Sequence, residues 1–207
     1  MGVTIRKTNN IPKLKKVLGE LGASEIQVGL FGEDSNVDKE DINLVTLARV
    51  HEFGMTIKPK RASALTIPIS PKSKGKRVSD FPTAFKVKGK DIIAIPKGKS
   101  GIEPIFILVK EVTIPERSFL RSGFDENVDN IVRKIERLMK DVLEYGISPD
   151  MFLDMIGLEF AGLIQKKARN LKTPPKSKAT LSVSPGKTNP LMDTGNMVGK
   201  IRHKVVK

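Results

Sequence analysis

The chain has 207 residues, 39% of them apolar and 29% charged, with a formal charge of +14, which suits one embellished domain or two small ones around a modest aliphatic core. It has no cysteine and two histidines, so disulfides, thiolate zinc sites, iron–sulfur clusters and cysteine nucleophiles are excluded. The longest apolar run, residues 105–109, is far below the roughly 18 residues that span a bilayer, and the opening MGVTIRKTNN has no signal-peptide apolar stretch; both point to a cytosolic chain without a membrane partner.

Ile11, Leu14, Val17, Leu18 and Leu21 recur at helical spacing, with Pro12 suited to a first turn and Gly22 to a stop, which predicts a short amphipathic helix. Over residues 25–31, Ile26, Val28 and Leu30 alternate with Gln27 and Gly29, a half-buried strand. An acidic loop follows. Asp38 or Asp41 is placed to cap a helix carrying Ile42, Val45, Leu47, Ala48 and Phe53, with Gly54 as its left-handed stop. Between residues 56 and 104 the texture turns to Pro, Lys, Ser and Gly around the apolar pieces 64–69 and 92–95, an inserted basic β-hairpin whose tip, PKSKGKRVSD, offers nothing to bury. Residues 105–114 form one long strand ended by Pro115.

The strongest helical period runs through Val128, Ile131, Val132, Ile135, Leu138, Met139, Val142 and Leu143, started near Ser122 or Asp125 and stopped at Gly146. Ser148 and Pro149 launch a second long helix to about Asn170. Residues 172–190 are too rich in Pro, Ser and Lys to pack. In the closing segment Ile201, His203 and Val205 alternate with Lys200, Arg202 and Lys204, a final strand. The fold class expected is α+β: an antiparallel sheet packed by two long helices plus shorter ones, in a single domain of residues 1–207 with the inserted hairpin at 56–104 and a basic arm at 171–207.

The charge is not uniform. Residues 58–99 hold twelve Lys/Arg against Asp80 and Asp91, and residues 166–207 hold eleven against Asp193, so each carries +10 and the remainder is slightly acidic. Two cationic segments on an acidic body predict contact with a polyanion if they pool their field; solvated loops are the plain alternative.

Short motifs that suggest catalysis fail on spacing. His51-Glu52 begins like a zincin helix, but Met55 stands where the second histidine is needed. Gly98-Lys99-Ser100 and Gly186-Lys187-Thr188 resemble the end of a phosphate loop, yet Ile93 and Leu181 occupy the opening glycine positions. Asp193-Thr194-Gly195 mimics an aspartic-protease triplet with no second copy and suits a turn or a short helical cap. The acids Glu33, Asp34, Asp38, Glu40 and Asp41 share one loop, and Asp150 and Asp154 one helix face, so no converging metal pair is expected. No enzyme activity, metal or cofactor is expected.

Three segments in order resemble a known family: Val28-Gly29-Leu30-Phe31 followed by a helix ending His51-Glu52-Phe53-Gly54; Ile114-Pro115-Glu116-Arg117-Ser118-Phe119-Leu120-Arg121 opening the long helix; and Pro190-Leu191-Met192-Asp193-Thr194-Gly195. The set, spanning about residues 24–206, is similar to neck or tail-completion proteins of tailed bacteriophages, the virion morphogenesis and lambda-like head-tail joining group. Ser118 departs from it, standing where the family usually carries a proline after the arginine.

The resemblance implies a structural virion protein, assembled in the host cytoplasm, that completes the tail as a homo-oligomeric, six-fold ring. Its implied partners are tail tube or terminator proteins, head connector or stopper proteins, and genomic DNA held without sequence preference. It marks Glu52, Phe53, Arg117, Phe119, Arg121 and Asp193 as subunit-interface candidates. Read from the residues alone, Phe53, Phe119 and Leu120 are expected first as core, while Arg117 and Arg121 suit an interface and an internal ion pair equally. Candidates for DNA or partner contact are Lys72, Lys74, Lys76, Arg77, Lys86, Lys88, Lys90, Lys176, Lys178 and Lys187; Phe81 and Phe85 alone make a weak stacking platform. In place of DNA, the basic segments could clasp acidic faces of neighbouring virion proteins. The alternative function is a sequence-independent nucleic-acid-binding module acting alone.

Overall fold

The computed structural model describes residues 9–35 and 43–207; Asp38, Glu40 and Asp41, expected in an acidic loop with a helix cap, and Ile42, expected on the helix that follows, lie outside the described residues. The fold is α+β, with long helices and antiparallel strands.

Helix α1 (Ile11–Gly22) and strand β1 (Glu25–Gly29) follow the sequence pattern. Helix α2 (Leu44–Phe53) is capped by the Asn43 side chain, which accepts from the backbone N–H of Val45 (2.8 Å) and Thr46 (3.2 Å) and so satisfies two first-turn donors. Gly54 stops it at φ 70°, where a Cβ would come within 2.8 Å of the Glu116 nitrogen and 3.0 Å of the Ile114 oxygen; the close approach of residues 114–116 requires a glycine there.

The body is organised around α4 (Pro149–Asn170). Ser148 accepts from Met151 N–H at 3.2 Å and Pro149 fixes the first turn, as its sequence predicts. This helix buries Phe152, Leu153, Ile156, Phe160, Ala161, Ile164 and Ala168, and the larger of these stabilise the fold by roughly 1.5–3 kcal/mol each. Helix α3 (Leu120–Tyr145) ends at the left-handed Gly146 and runs antiparallel to α4, stitched by the Lys134–Glu159 and Lys167–Glu126 ion pairs. Strand β8 (Arg202–Val206) pairs antiparallel with β1, and both lie on α4. Gly157 allows that approach: a Cβ there would sit 2.4 Å from the His203 ring.

The strands form three sheets, where the sequence suggests one. Besides β1–β8, strands β2 (Met55–Ile57) and β7 (Val112–Ile114) pair as a two-stranded stalk. The chain leaves the body along one and returns along the other. Carried on this stalk, the basic insert is an antiparallel sheet in the order β3-β6-β5-β4, built from β3 (Leu65–Pro68), β4 (Phe85–Lys86), β5 (Ile92–Lys97) and β6 (Gly101–Val109), so the expected hairpin is one part of a larger module. The long strand expected over residues 105–114 breaks at Lys110 and Glu111, because its two halves belong to different sheets.

The tip, expected to have nothing to bury, is folded. Residues 71–73 and 78–80 make 3₁₀ turns, and Ser73 is fully buried, donating its hydroxyl to the Ile105 carbonyl at 2.7 Å. Val78 and Phe81 pack on the insert's own core of Ile93, Ile105 and Phe106, with the Phe81 and Phe106 rings edge to face at 5.9 Å. The arm after Leu171 also packs, contrary to its composition. Helix α5 (Lys178–Val183) is capped by Ser177, and Leu191, Met197, Val198 and Ile201 join the main core around the short helix α6 (Asn196–Gly199). Among the described residues no helix is long and apolar enough to cross a membrane.

Candidate functional site

Helix α3 begins without a local cap, and neither Ser122 nor Asp125 starts it. Glu52, the penultimate residue of α2, supplies the cap. Its Oε2 accepts the Phe119 and Leu120 N–H groups at 2.8 and 2.9 Å; its Oε1 accepts Arg121 N–H and Nε–H at 3.0 Å and the Ser118 hydroxyl at 2.9 Å. Burial alone raises the carboxyl pKa of this 2% exposed side chain, but the backbone N–H groups of Arg121 and Leu120, the Ser118 hydroxyl and the Phe119 N–H together hold it below the usual carboxylate value. A carboxylate at a helix N-terminus also gains from the aligned peptide dipoles.

Arg121 continues the clamp, donating to the Glu52 carbonyl at 3.0 Å and to Glu116 at 2.6 Å, with its guanidinium 4.6 Å from the Phe53 ring centroid. Of the interface candidates, Glu52 and Phe119 are interior residues serving as cap and core, whereas Phe53 and Arg121 reach the surface.

Arg117 is 6% exposed, and its charge meets carbonyl oxygens where its sequence context suggests an acid. Nε donates to Pro174 and Nη2 to Pro175, each at 2.9 Å, while Nη1 lies 3.2 Å from His51 Nδ1. This arginine ties the arm to the α3 start. Burial, then the charges of Arg117 and Lys176, push His51 down to about 4, so at neutral pH its uncharged ring accepts from Arg117 through Nδ1. His51-Glu52 is therefore an anchoring pair.

The two cationic segments converge. Lys74 of the insert donates to both Asp193 oxygens, at 3.0 and 2.9 Å, and to the Ser184 hydroxyl at 2.8 Å; Lys187 donates to Asp193 Oδ1 at 2.8 Å. Hydrogen bonds from Lys187 and Lys74 hold the Asp193 carboxyl down at about 2. Lys176 donates to the Met192 carbonyl at 2.9 Å. Its pKa is lowered by burial and by the like charges of Lys187, Lys74 and Arg117, against the pull of Asp193.

The other lysines of the insert face solvent. Lys72 pairs with Glu103 at 2.7 Å, Lys86 with Asp91 at 3.4 Å, and Lys76 lies 5.5 Å from the Phe81 ring centroid. Arg77, Lys88, Lys90 and Lys178 are exposed, and among the described residues Lys88, Lys90 and Lys178 have no carboxylate partner. Phe85 is exposed, while Phe81 is committed to the insert core.

Exposed apolar side chains gather on particular elements. All three residues of β2 are exposed, next to exposed Phe53; Ile11, Leu14 and Leu18 form one stripe on α1, and Met151, Met155 and Leu158 another on α4. Reading the sequence as core helices missed these faces, because period alone does not say which side is covered. Among the described residues no group of His, Asp or Glu is arranged to hold a metal. Comparison with protein-family models, with curated proteins and with solved structures finds no match for this chain.

Proposed function

We propose that the chain is a non-enzymatic structural protein of a tailed-phage neck, completing the tail and joining it to the head as an oligomeric ring around DNA. The observation that carries this reading is the convergence of the two +10 segments, pinned by Lys74 and Asp193, with Lys88, Lys90 and Lys178 left for an external polyanion. Exposed lysines in the β4–β5 turn and at the start of α5 neutralise phosphates without reading bases. The exposed apolar stripes on α1 and α4, and the exposed stalk strand β2, which among the described residues pairs on one edge only, supply surfaces for neighbouring copies. The ordered motifs that resemble neck proteins agree with this reading.

Particles assembled without the protein are expected to carry filled heads and free tails, seen by electron microscopy; tails still firmly joined to heads would refute the proposal. The alternative, a solitary nucleic-acid-binding module, is separated by light scattering and duplex-DNA titration. The ring reading expects assembly on tail or connector components, whereas the alternative expects a monomer with a steep salt slope. In either case, replacing Lys86, Lys88 and Lys90 with Gln is expected to reduce the magnitude of the log K against log salt slope by about 3, if each neutralises one phosphate.

A further inference from the structure

Between α2, β7, α5 and the 190–197 turn lies a cleft of about 610 Å³, within the range of sites that take a small ligand or a few side chains. Leu44, Leu47, Val112, Ile114, Val183 and Met197 line one side of its chemistry. Lys74, Lys176, Arg117 and Asp193 line the other, with Lys187 bonded to Asp193 at the rim. Four cations thus surround one carboxylate. Asp193 is shared by Lys74 and Lys187, while Arg117 and Lys176 are satisfied by carbonyl oxygens and the His51 ring nitrogen. The excess positive charge is held in a partly desolvated place, where an added anion interacts more strongly than in open water.

We propose that this cleft seats a short segment of a partner protein in which an acidic side chain lies beside apolar ones, the carboxylate meeting Lys176 and the apolar groups packing on the half-buried Leu47, Ile114 and Val183. A nucleic-acid backbone supplies the charge but nothing for the half-buried Leu47, Val112, Ile114 and Val183, and the freely exposed lysines suited to it, Lys88 and Lys90, lie on the insert outside this lining. A bare inorganic anion leaves the apolar side unfilled in the same way. Charge complementarity together with an apolar anchor selects a peptide. The assignment rests on the cleft alone and holds whether or not the chain belongs to a phage neck.

The test uses the full chain and a fluorescein-labelled, end-capped peptide, Ser-Leu-Asp-Leu-Glu-Leu-Ser, followed by anisotropy. The peptide is expected to bind at least about tenfold more tightly than its Asn/Gln counterpart, the factor that corresponds to one charge-assisted hydrogen bond. Lys176→Gln is expected to erase most of that difference. Thr180→Glu, an exposed rim change at a helix start capped by Ser177, is expected to weaken the acidic peptide while preserving the fold, and decides the matter if Lys176→Gln fails to fold. Absence of binding, equal binding of the acidic and amide peptides, indifference to both substitutions, or displacement of the peptide by a short DNA duplex would each overturn the proposal.

Discussion

Among the described residues, fifteen buried side chains from α2, α3, α4, the turns and the arm make one continuous core in the body, whereas the core cluster of the basic insert has three, Ile93, Ile105 and Phe106. The body also closes on itself through contacts between distant parts of the chain, Glu52 to the α3 start and Arg117 to the 174–175 carbonyls. The insert depends on its own sheet, its two-stranded stalk and the Lys74–Asp193 tie. A module with so small a core keeps its shape through backbone pairing and leaves nearly all of its lysines outward, which suits presentation more than enclosure.

Removing the clamp tests the body side of that contrast. Glu52→Ala takes the acceptor from three backbone N–H groups, one of them on the fully buried Phe119. Loss of a cap together with a stranded buried donor is expected to cost about 2–5 kcal/mol. A lowered melting temperature for the whole chain is the readout; an unchanged value would mean that α3 is held by packing alone.

Phe106→Ala tests the other side. A buried Phe to Ala change costs roughly 3–5 kcal/mol in a rigid core, with the low end expected where the surroundings can collapse. Hydrogen exchange should lose protection across residues 65–109 while α3 and α4 keep theirs. Equal loss in both regions would show that insert and body unfold as one unit.

The contrast also governs what could be read from the sequence. Helices α1, α3 and α4 and strands β1 and β8 were legible because periodicity is local, as were the Ser148-Pro149 start and the Gly54 and Gly146 stops. Strand partnership was not: nothing in residues 105–114 marks where one sheet ends and another begins. The cap of α3 was invisible because Glu52 acts across 67 residues, on Phe119 N–H. The sequence marks Lys74, Lys176 and Lys187 as contact candidates and Asp193 as an interface candidate. Their convergence depends on a contact between Lys74 and Ser184, 110 positions apart, that composition does not encode.

A smaller effect joins the clamp to the cleft. Burial and the neighbouring cations hold His51 at about 4 in the folded chain, against 6.5 when unperturbed. Between those values the unfolded chain takes up a proton that the folded chain refuses, so this residue makes stability fall as pH drops from about 6.5 to about 4, and the loss is complete below the folded value. Glu52 and Asp193 have lowered carboxyl pKa values, so the stability they provide is present above their unfolded values, 4.5 and 3.8, and is lost as pH falls below those. The window above 4.5 therefore separates the imidazole from both carboxylates. Because His51 is only partly buried, its share is on the order of 1 kcal/mol after solvent screening. His51→Gln keeps an acceptor for Arg117 and removes the titration. Denaturant midpoints at pH 7.5 and pH 5 should differ more for the native chain than for the variant; identical differences would place the Arg117–His51 contact in freely solvated surroundings and detach it from the cationic cleft.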